Sequence, residues 1–594
     1  MKVSNNERAA QASLILTGLM FAVPFLQPYH RLPIPSFYGE WLAFALGLAA
    51  ALPLLRKALW HEPELPKVAL APIALIGLLG AQILLERVSL PEQALTAALY
   101  AAWAALLIVL GAALRREFGM TALATALAWA LLAGGMLNAL AGVLQHYLPS
   151  AAIDLLVAPK FSVAVYGNIG QANHFADYIA LALASAAYLY ARGSLRVRWA
   201  AACAVLLSWV LALSGSRSPW LYLGALAALA LLLRGRAQTA EGGRLLRYSF
   251  CLLPGFIAAQ WIVTLPFLMP EAGLLVTSGQ RLFDAAGGIE ARLQLAQEAW
   301  AAFIESPLLG AGWGRFSWHH FQYQALTGAA AAPGVFNHAH NLVLQLMAET
   351  GVLGVLAVVG PVLAWIRDRR SIALDIEHWW LLALLTVLAI HSMLELPLWY
   401  SNFLGIAAIL LGAGASQSLK PRAERVARAA VAASIAIGSL NLALVVPAYR
   451  DFERLLFAQG GGAAIAADEA GFASGVMNVH RDPVLKPYLE VAVSSGITVS
   501  EDQLRGKLEL NSRVMRFAPG NLVVYRQALL LAAAGEREAA LQQLESAARV
   551  YPLTLPHAVA VLTELDRRDP ARFRPLLELA AARSAELRAR AVVK

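Results

Sequence analysis

Thirteen predominantly apolar runs occupy the first three quarters of this chain. Their cores fall at about 12–28, 39–55, 67–85, 93–114, 120–147, 176–191, 199–213, 219–233, 248–267, 351–366, 377–396, 402–417 and 426–447. A helix needs about 20 residues to cross the ~30 Å hydrocarbon layer of a bilayer. So many runs of about this length predict an all-α polytopic membrane protein with about 13 transmembrane helices. Composition agrees: 59% of the 594 residues are hydrophobic and 14% charged, against about 25% charged in soluble domains. The first run continues without a small-residue cleavage pattern, so it reads as a spanning helix and not as a cleaved signal peptide. Cys203 and Cys251 both sit inside apolar runs and form neither metal-ligand spacing nor a disulfide framework. The net charge of +9 is scattered over loops. It speaks for membrane orientation, not for nucleic acid.

Lys and Arg concentrate in alternate loops, at Arg56 and Lys57, Arg115 and Arg116, Arg192 to Arg198, Arg234 to Arg247, Arg367 to Arg370, and Lys420 to Arg428. The positive-inside rule makes these loops cytoplasmic. The N-terminus is then cytoplasmic, and an odd number of spans exports the C-terminal region. The expected division is a transmembrane domain over 1–448, with a large outer loop at about 268–340, and an α-helical domain over 449–594 on the outer side of the membrane. Within the latter, Asn521–Pro552 has the pattern of one tetratricopeptide-like hairpin, with Ala528, Leu531, Ala540, Leu544 and Ala547 locking two helices, Gly535 turning the chain and Pro552 ending the unit.

The loops predicted to face outward carry polar and aromatic clusters that the cytoplasmic loops lack: "QPYHRLPIPSFYGEW", "PKFSVAVYGNIGQANHF", "SGSRSPW", "SPLLGAGWGRF", "FNHAHN" and "HSMLELPLWY". One shared face suggests one site. Arg217, flanked by Ser214, Ser216 and Ser218, runs against the positive-inside bias. It is either a structural arginine or an anion clamp whose planar fork matches phosphate oxygens. Arg292, on the helix-like stretch Glu290–Glu305, has the same two readings. Arg281 and Arg315 stand behind them.

In "HAHNLVLQLMAE" a helix is expected to begin near His338–His340, with Asn341, Gln345 and Glu349 on one face. The positive end of a helix favours neutral imidazole there, the form a general base needs. A zinc site built from His338, His340, His319 and His320 is the rival, and it is disfavoured by the i, i+2 spacing and the absence of loop cysteines. Gln171, Asn173 and His174 lead into the sixth run. They suit a capping loop with Asn173 as cap, or amide hydrogen bonding to a polyhydroxylated ligand. Glu395 and Tyr400 lie near the expected outer boundary, where aromatic anchors are ordinary.

Taken in order, "LPIPSFYGEW", "YGNIGQANHF", "SGSRSPW", "SPLLGAGWGRF", "HAHN" and "HSMLELPLWY" resemble the bacterial O-linked protein oligosaccharyltransferases of the pilin-glycosylation type, which are related to O-antigen ligases and polymerases. The resemblance spans nearly the whole membrane region and fits the segment after 449 only loosely. It implies an inner-membrane enzyme working on the periplasmic side without a metal or other cofactor. Its donor would be an undecaprenyl-pyrophosphate-linked glycan, and its acceptor a Ser or Thr hydroxyl of a protein such as pilin. Carried over residue by residue, His340 takes the catalytic position, with neighbouring His338 as the alternative. Arg217 and Arg292 match the donor-binding arginines. Gln171 and Tyr400 match positions linked to function in the protein-ligase branch. Asn173, His174, Asn341, Arg315 and Glu395 remain candidate substrate contacts. The rivals are an O-antigen ligase with a lipid A–core acceptor, a glycan polymerase, and a solute transporter. The transporter reading needs ionisable residues in mid-span, and the spans read as nearly free of them.

Overall fold

The computed structural model describes residues 5–56, 65–148, 151–236, 238–268, 286–328, 335–369, 374–420, 424–458 and 469–592. Arg281 and part of the predicted outer loop lie outside them. The described chain is almost wholly helical: α1 Asn5–Ala22, α2 Phe37–Ala51, α3 Leu70–Leu84, α4 Pro91–Tyr147, α5 Ala172–Arg192, α6 Val197–Leu213, α7 Pro219–Arg236, α8 Ala240–Ile262, α9 Ala286–Glu305, α10 Phe316–Thr327, α11 Leu342–Arg369, α12 Ile376–Ser392, α13 Ser401–Ala413, α14 Glu424–Ala458, α15 Glu469–Arg481, α16 Lys486–Gly496, α17 Leu504–Met515, α18 Asn521–Ala533, α19 Arg537–Val550, α20 Leu555–Arg568 and α21 Pro570–Val592. The described strands are two residues each, Leu65–Pro66 pairing antiparallel with Ser418–Leu419.

Every predicted apolar run falls on a helix. Seven described helical segments are long and apolar enough to cross a membrane, and the apolar helices α6, α12 and α13 are shorter. The chain is an all-α polytopic membrane protein. Two predicted runs are joined in α4, which breaks at Gly119 (φ 73°, ψ 163°). A glycine tolerates that left-handed φ without a Cβ clash. Pro254 and Pro361 sit inside α8 and α11, as membrane helices allow when neighbours satisfy the freed backbone.

The chain divides into two compact units. The first comprises residues 1–75, 99–285 and 357–444, and the second 76–98, 286–356 and 445–594. At the centre of the first unit, α5 is buried on every side from His174 to Leu189. It packs against α6, α7, α8 and α12. Trp380 Nε1 donates to Ser185 Oγ at 3.1 Å inside that packing. Where α4 crosses α13 the backbones touch: a Cβ at Gly111 would lie 2.2 Å from Ile409 O, and one at Gly412 would lie 1.9 Å from Ile108 O.

In the second unit the C-terminal helices form hairpins. Gly535 turns α18 into α19 with φ +82°, and Ala528, Ala540, Leu544 and Ala547 are buried between them, with Leu531 half-buried at the margin. Asn511 is fully buried and fully used. Its Nδ2 donates to Val523 O at 3.1 Å and Gln527 Oε1 at 2.7 Å, and its Oδ1 accepts from Ser494 Oγ at 2.6 Å. Helix α10 docks on α19 through Phe321, and Arg549 donates to Ala325 O at 3.1 Å.

Candidate functional site

In the first unit, three of the quoted motifs meet at one amide. Asn173 Nδ2 donates to Glu395 Oε1 at 3.2 Å, and Asn173 Oδ1 accepts from Ser216 Oγ at 2.8 Å. One side chain thus ties "GNIGQANHF" to "HSMLELPLWY" and to "SGSRSPW". Asn173 is free to do so because it is not the helix cap. Gln171 caps α5, its Oε1 accepting from His174 N at 3.2 Å, so the expectation of an Asn173 cap is corrected. The loop ahead of the cap is fixed by Asn168, whose Nδ2 donates to Leu26 O at 3.0 Å and Leu156 O at 2.8 Å. His30 also holds it, with Nε2 2.9 Å from Asn168 O.

Arg217 follows directly on Ser216, in a turn that Gly215 opens at φ +61°. Its side chain is half-buried and makes no hydrogen bond or ion pair with a described residue. A fork of donors held at such a turn is a ready anion ligand. Next to Asn173 in the chain, the His174 ring lies 4.5 Å from that of Tyr400 and 5.3 Å from that of His391.

Sequence reading missed the buried pair beneath this network. Asp177 Oδ2 is 2.8 Å from His391 Nδ1, and both side chains are 0% exposed. Asp177 lies one helical turn beyond Asn173, and His391 one turn before Glu395. The pair and the Asn173–Glu395 hydrogen bond are therefore two successive rungs between α5 and the end of α12. The signal was present: a carboxylate inside an apolar run is a functional candidate by default.

In the second unit, the stretch after α9 folds back on the start of α11. Ala311 N donates to Ala348 O at 2.8 Å, Gly312 N to Glu349 O at 3.1 Å, and Val352 N to Pro307 O at 2.8 Å. Gln82 Nε2 donates to Leu309 O and Glu349 O, both at 2.7 Å. Arg87 donates to Ser306 Oγ at 2.6 Å and Gly310 O at 2.9 Å. The approach is so close that a Cβ at Gly310 (φ +70°) would lie 2.3 Å from Glu349 C. Gln345 and Glu349 are buried beneath this loop. Gln345 Oε1 accepts from Ala339 N at 2.8 Å, and Glu349 Oε1 from Phe316 N at 3.1 Å.

The helix does not begin at His338–His340 as expected. Asn341 is the cap, its Oδ1 accepting from Val343 N at 3.0 Å and Leu344 N at 3.1 Å. His340 stands one residue outside, in the left-handed region at φ 50°, and its N–H donates to His338 Nδ1 at 3.2 Å. The two imidazole rings are 4.1 Å apart, and Phe336 lies 5.5 Å from His340 and 5.7 Å from His320. His320 is itself buried against Glu298, with Gln324 Nε2 3.1 Å from its other nitrogen. A left-handed φ on a non-glycine residue is uncommon, and here it turns the His340 side chain off the helix that follows.

Arg315 lies half-buried at the start of α10. Burial first, and then the nearby Arg516 and Arg87 guanidiniums, hold it below its ordinary value. His319 is likewise held down, first by burial and then by Arg315, with Glu305 opposing. Arg292 is half-buried on α9. Of the four histidines in the zinc reading, His320 has both ring nitrogens engaged as above. Among the described residues, no three His, Cys, Asp or Glu of a single unit converge at metal-ligand distance. The structure thus gathers Gln171, Asn173, His174, Arg217, Glu395 and Tyr400 within the first unit. It gathers His338, His340, Asn341, Arg292 and Arg315 within the second.

Comparison with known proteins agrees with the motifs. The family described as O-antigen ligase matches residues 202–359. The family described as protein glycosylation ligase matches 165–190, the segment that holds Gln171 and Asn173. The family described as virulence factor membrane-bound polymerase, C-terminal, matches 379–564. The chain is 26% identical over 445 residues to the general O-oligosaccharyltransferase of Acinetobacter baylyi, covering 74% of this chain and 75% of that protein. It is 24% identical over 256 residues to the ComP-specific O-oligosaccharyltransferase of the same organism, covering 43% and 44%. The chain resembles the bacterial O-linked oligosaccharyltransferases and their O-antigen ligase relatives.

Proposed function

We propose that this protein transfers a preassembled oligosaccharide from undecaprenyl pyrophosphate to Ser or Thr hydroxyls of exported proteins, pilin among them. It is a glycosyltransferase of the O-oligosaccharyltransferase class, by its likeness to the general O-oligosaccharyltransferase along three quarters of both chains. The observation that carries the reading further is the Asn173 network, which presents Arg217 beside two other family motifs.

In the proposed mechanism the acceptor oxygen attacks the anomeric carbon as the bond from that carbon to the pyrophosphate oxygen breaks. The hydroxyl proton passes to the His340 imidazole. The departing pyrophosphate carries its own charge away, and arginine forks at Arg217 and Arg292 offset it. One displacement through an oxocarbenium-like state inverts the anomeric centre. His338, donating or accepting beside His340, is the alternative base. The bilayer would hold the polyprenyl chain of the donor. On this reading the enzyme sits in the inner membrane with its N-terminus cytoplasmic and its C-terminal helices periplasmic, where they recruit the acceptor.

Mass spectrometry of pilin from cells with and without the gene tests the acceptor. Loss of a glycan mass from a Ser- or Thr-containing peptide supports protein glycosylation. Unchanged pilin with truncated lipopolysaccharide supports the second reading, an O-antigen ligase, which the match over 202–359 favours. His340→Ala is expected to abolish transfer while leaving the protein folded in the membrane. Retained transfer would reject His340 as base and turn attention to His338.

A further inference from the structure

Helix α9 is two-faced in an unusual sense. Its inner face, Leu295, Glu298, Ala299 and Ala302, is buried. Its outer face is also apolar: Leu293 is 58%, Trp300 51% and Ile304 60% exposed. These three positions fall on one stripe at helical spacing, and Gln297, the other exposed residue between them, is uncharged. The exposed carboxylates Glu290 and Glu305 stand only at its two ends. A water-facing helix would place charge along such a stripe. Contiguous exposed apolar surface of this kind marks a contact.

The turn that follows α9 is bonded to the ends of two membrane-spanning segments of the same unit. One turn past Ile304, Leu308 is 64% exposed, and its carbonyl accepts from Leu353 N at 3.3 Å. Leu353 and Leu356 are exposed on α11 just past its break at Gly351, within a segment apolar enough to span a bilayer. On the other side of the turn, Arg87 bonds Ser306 and Gly310, close after the exposed Leu84 that ends the span of α3. The C-terminal end of α9 is therefore tied, through the turn at Ser306–Gly310, to the ends of two spans, and its outer stripe carries a tryptophan, a residue that favours the headgroup boundary.

We propose that α9 lies in the interfacial region of the bilayer with Leu293, Trp300 and Ile304 set into the headgroup–acyl boundary. From Leu293 to Ile304 the helix extends about 17 Å, more than an interfacial layer is thick. The helix must therefore run close to parallel with the membrane plane for all three to be immersed. Arg292, next to Leu293, is then held at headgroup depth, where the phosphates of a lipid-linked donor reside. That last consequence rests on the donor-binding reading of Arg292, whereas the placement of α9 does not.

The test is site-directed spin labelling of the full chain in lipid nanodiscs, after Cys203→Ala and Cys251→Ser. Single labels are placed through Leu293→Cys, Trp300→Cys and Ile304→Cys, with Leu356→Cys as the immersed reference and Glu538→Cys as the aqueous one. Collision rates with oxygen and with a water-soluble nickel chelate give the depth of each. The expected result is three similar depths, between the two references and on the lipid side of the aqueous one. Aqueous values at all three would overturn the placement. So would a depth that falls away steadily from residue 304 to 293, or dipolar broadening that reveals a second copy on the stripe. Because all three positions are exposed, the labels leave the fold intact. A failure of Arg292→Ala to weaken donor binding, with the depths as expected, would discard only the role of that arginine.

Discussion

Removing one member of the Asp177–His391 pair is expected to damage the first unit far more than removing both. Each side chain is fully enclosed and their nearest atoms are 2.8 Å apart. Asp177→Leu leaves an imidazole facing apolar packing without its carboxylate partner. The loss is then that of an unsatisfied buried polar group, about 1–3 kcal/mol. His391→Leu leaves the enclosed carboxyl group with no partner, and the loss moves toward the ~3–5 kcal/mol typical of breaking a buried pair by removing one member. Asp177→Leu with His391→Leu removes both penalties. The double variant is expected within about 1–2 kcal/mol of the parent, since apolar replacement of a buried pair is often neutral or better. The assay is unfolding of the purified protein in mixed detergent micelles, followed by tryptophan fluorescence, for the parent, both single variants and the double variant. The four free energies form a cycle whose coupling term is expected to be large and favourable. A double variant as damaged as the sum of the singles would refute the reasoning. The two residues would then be independent packing positions and not rungs of one ladder.

Arg217→Lys keeps the charge and loses the planar fork. Hydrogen bonds to charged groups contribute about 1.5–3 kcal/mol, so transfer from a lipid-linked donor is expected to slow roughly 10- to 100-fold, and an unchanged rate counts against phosphate binding by this arginine. Gly310→Ala places a methyl 2.3 Å from Glu349 C at φ +70°. Left-handed strain of about 1–2 kcal/mol adds to the clash, and limited proteolysis is expected to cut between residues 306 and 316 much faster than in the parent. His319 is held below its ordinary imidazole value of 6.5 when folded. The unfolded chain therefore takes up the proton first, and stability is full above that value and falls as pH drops through it. His319→Gln is expected to reduce the drop in melting temperature between about pH 7.5 and about pH 5; an identical drop would remove His319 as a contributor.

The helices were legible because lipid leaves a backbone few choices, and each apolar run settled its own secondary structure. Local chemistry between the runs was harder. Gln171 and Asn173 are both plausible caps, and the choice between them was decided by Ser216 and Glu395, far away in sequence and recruiting Asn173 elsewhere. The start of α11 lies two to four residues beyond the expected one, because "HAHN" contains no glycine or proline to announce the left-handed φ of His340. Asp177 was overlooked because one carboxylate barely lowers the mean of an apolar run, and its partner His391 belongs to a motif read for its aromatic residues. The Glu298–His320 contact was invisible for a plainer reason: two residues on different helices of a loop carry no spacing that reports their meeting. The hydrogen bonds that join three motifs at Asn173 likewise link residues far apart in the chain, with no spacing that reports them.

The bare crossing of Gly111 and Gly412 has a corollary for anyone comparing or re-engineering this chain. No side chain of any size fits either position while the other helix stays where it is, so neither site tolerates a reporter, a crosslinker or ordinary sequence drift. A distant cousin that carries a bulkier residue at one of them has drawn α13 away from α4. The two glycines thus serve as a checkpoint for deciding how far coordinates can be transferred between such cousins.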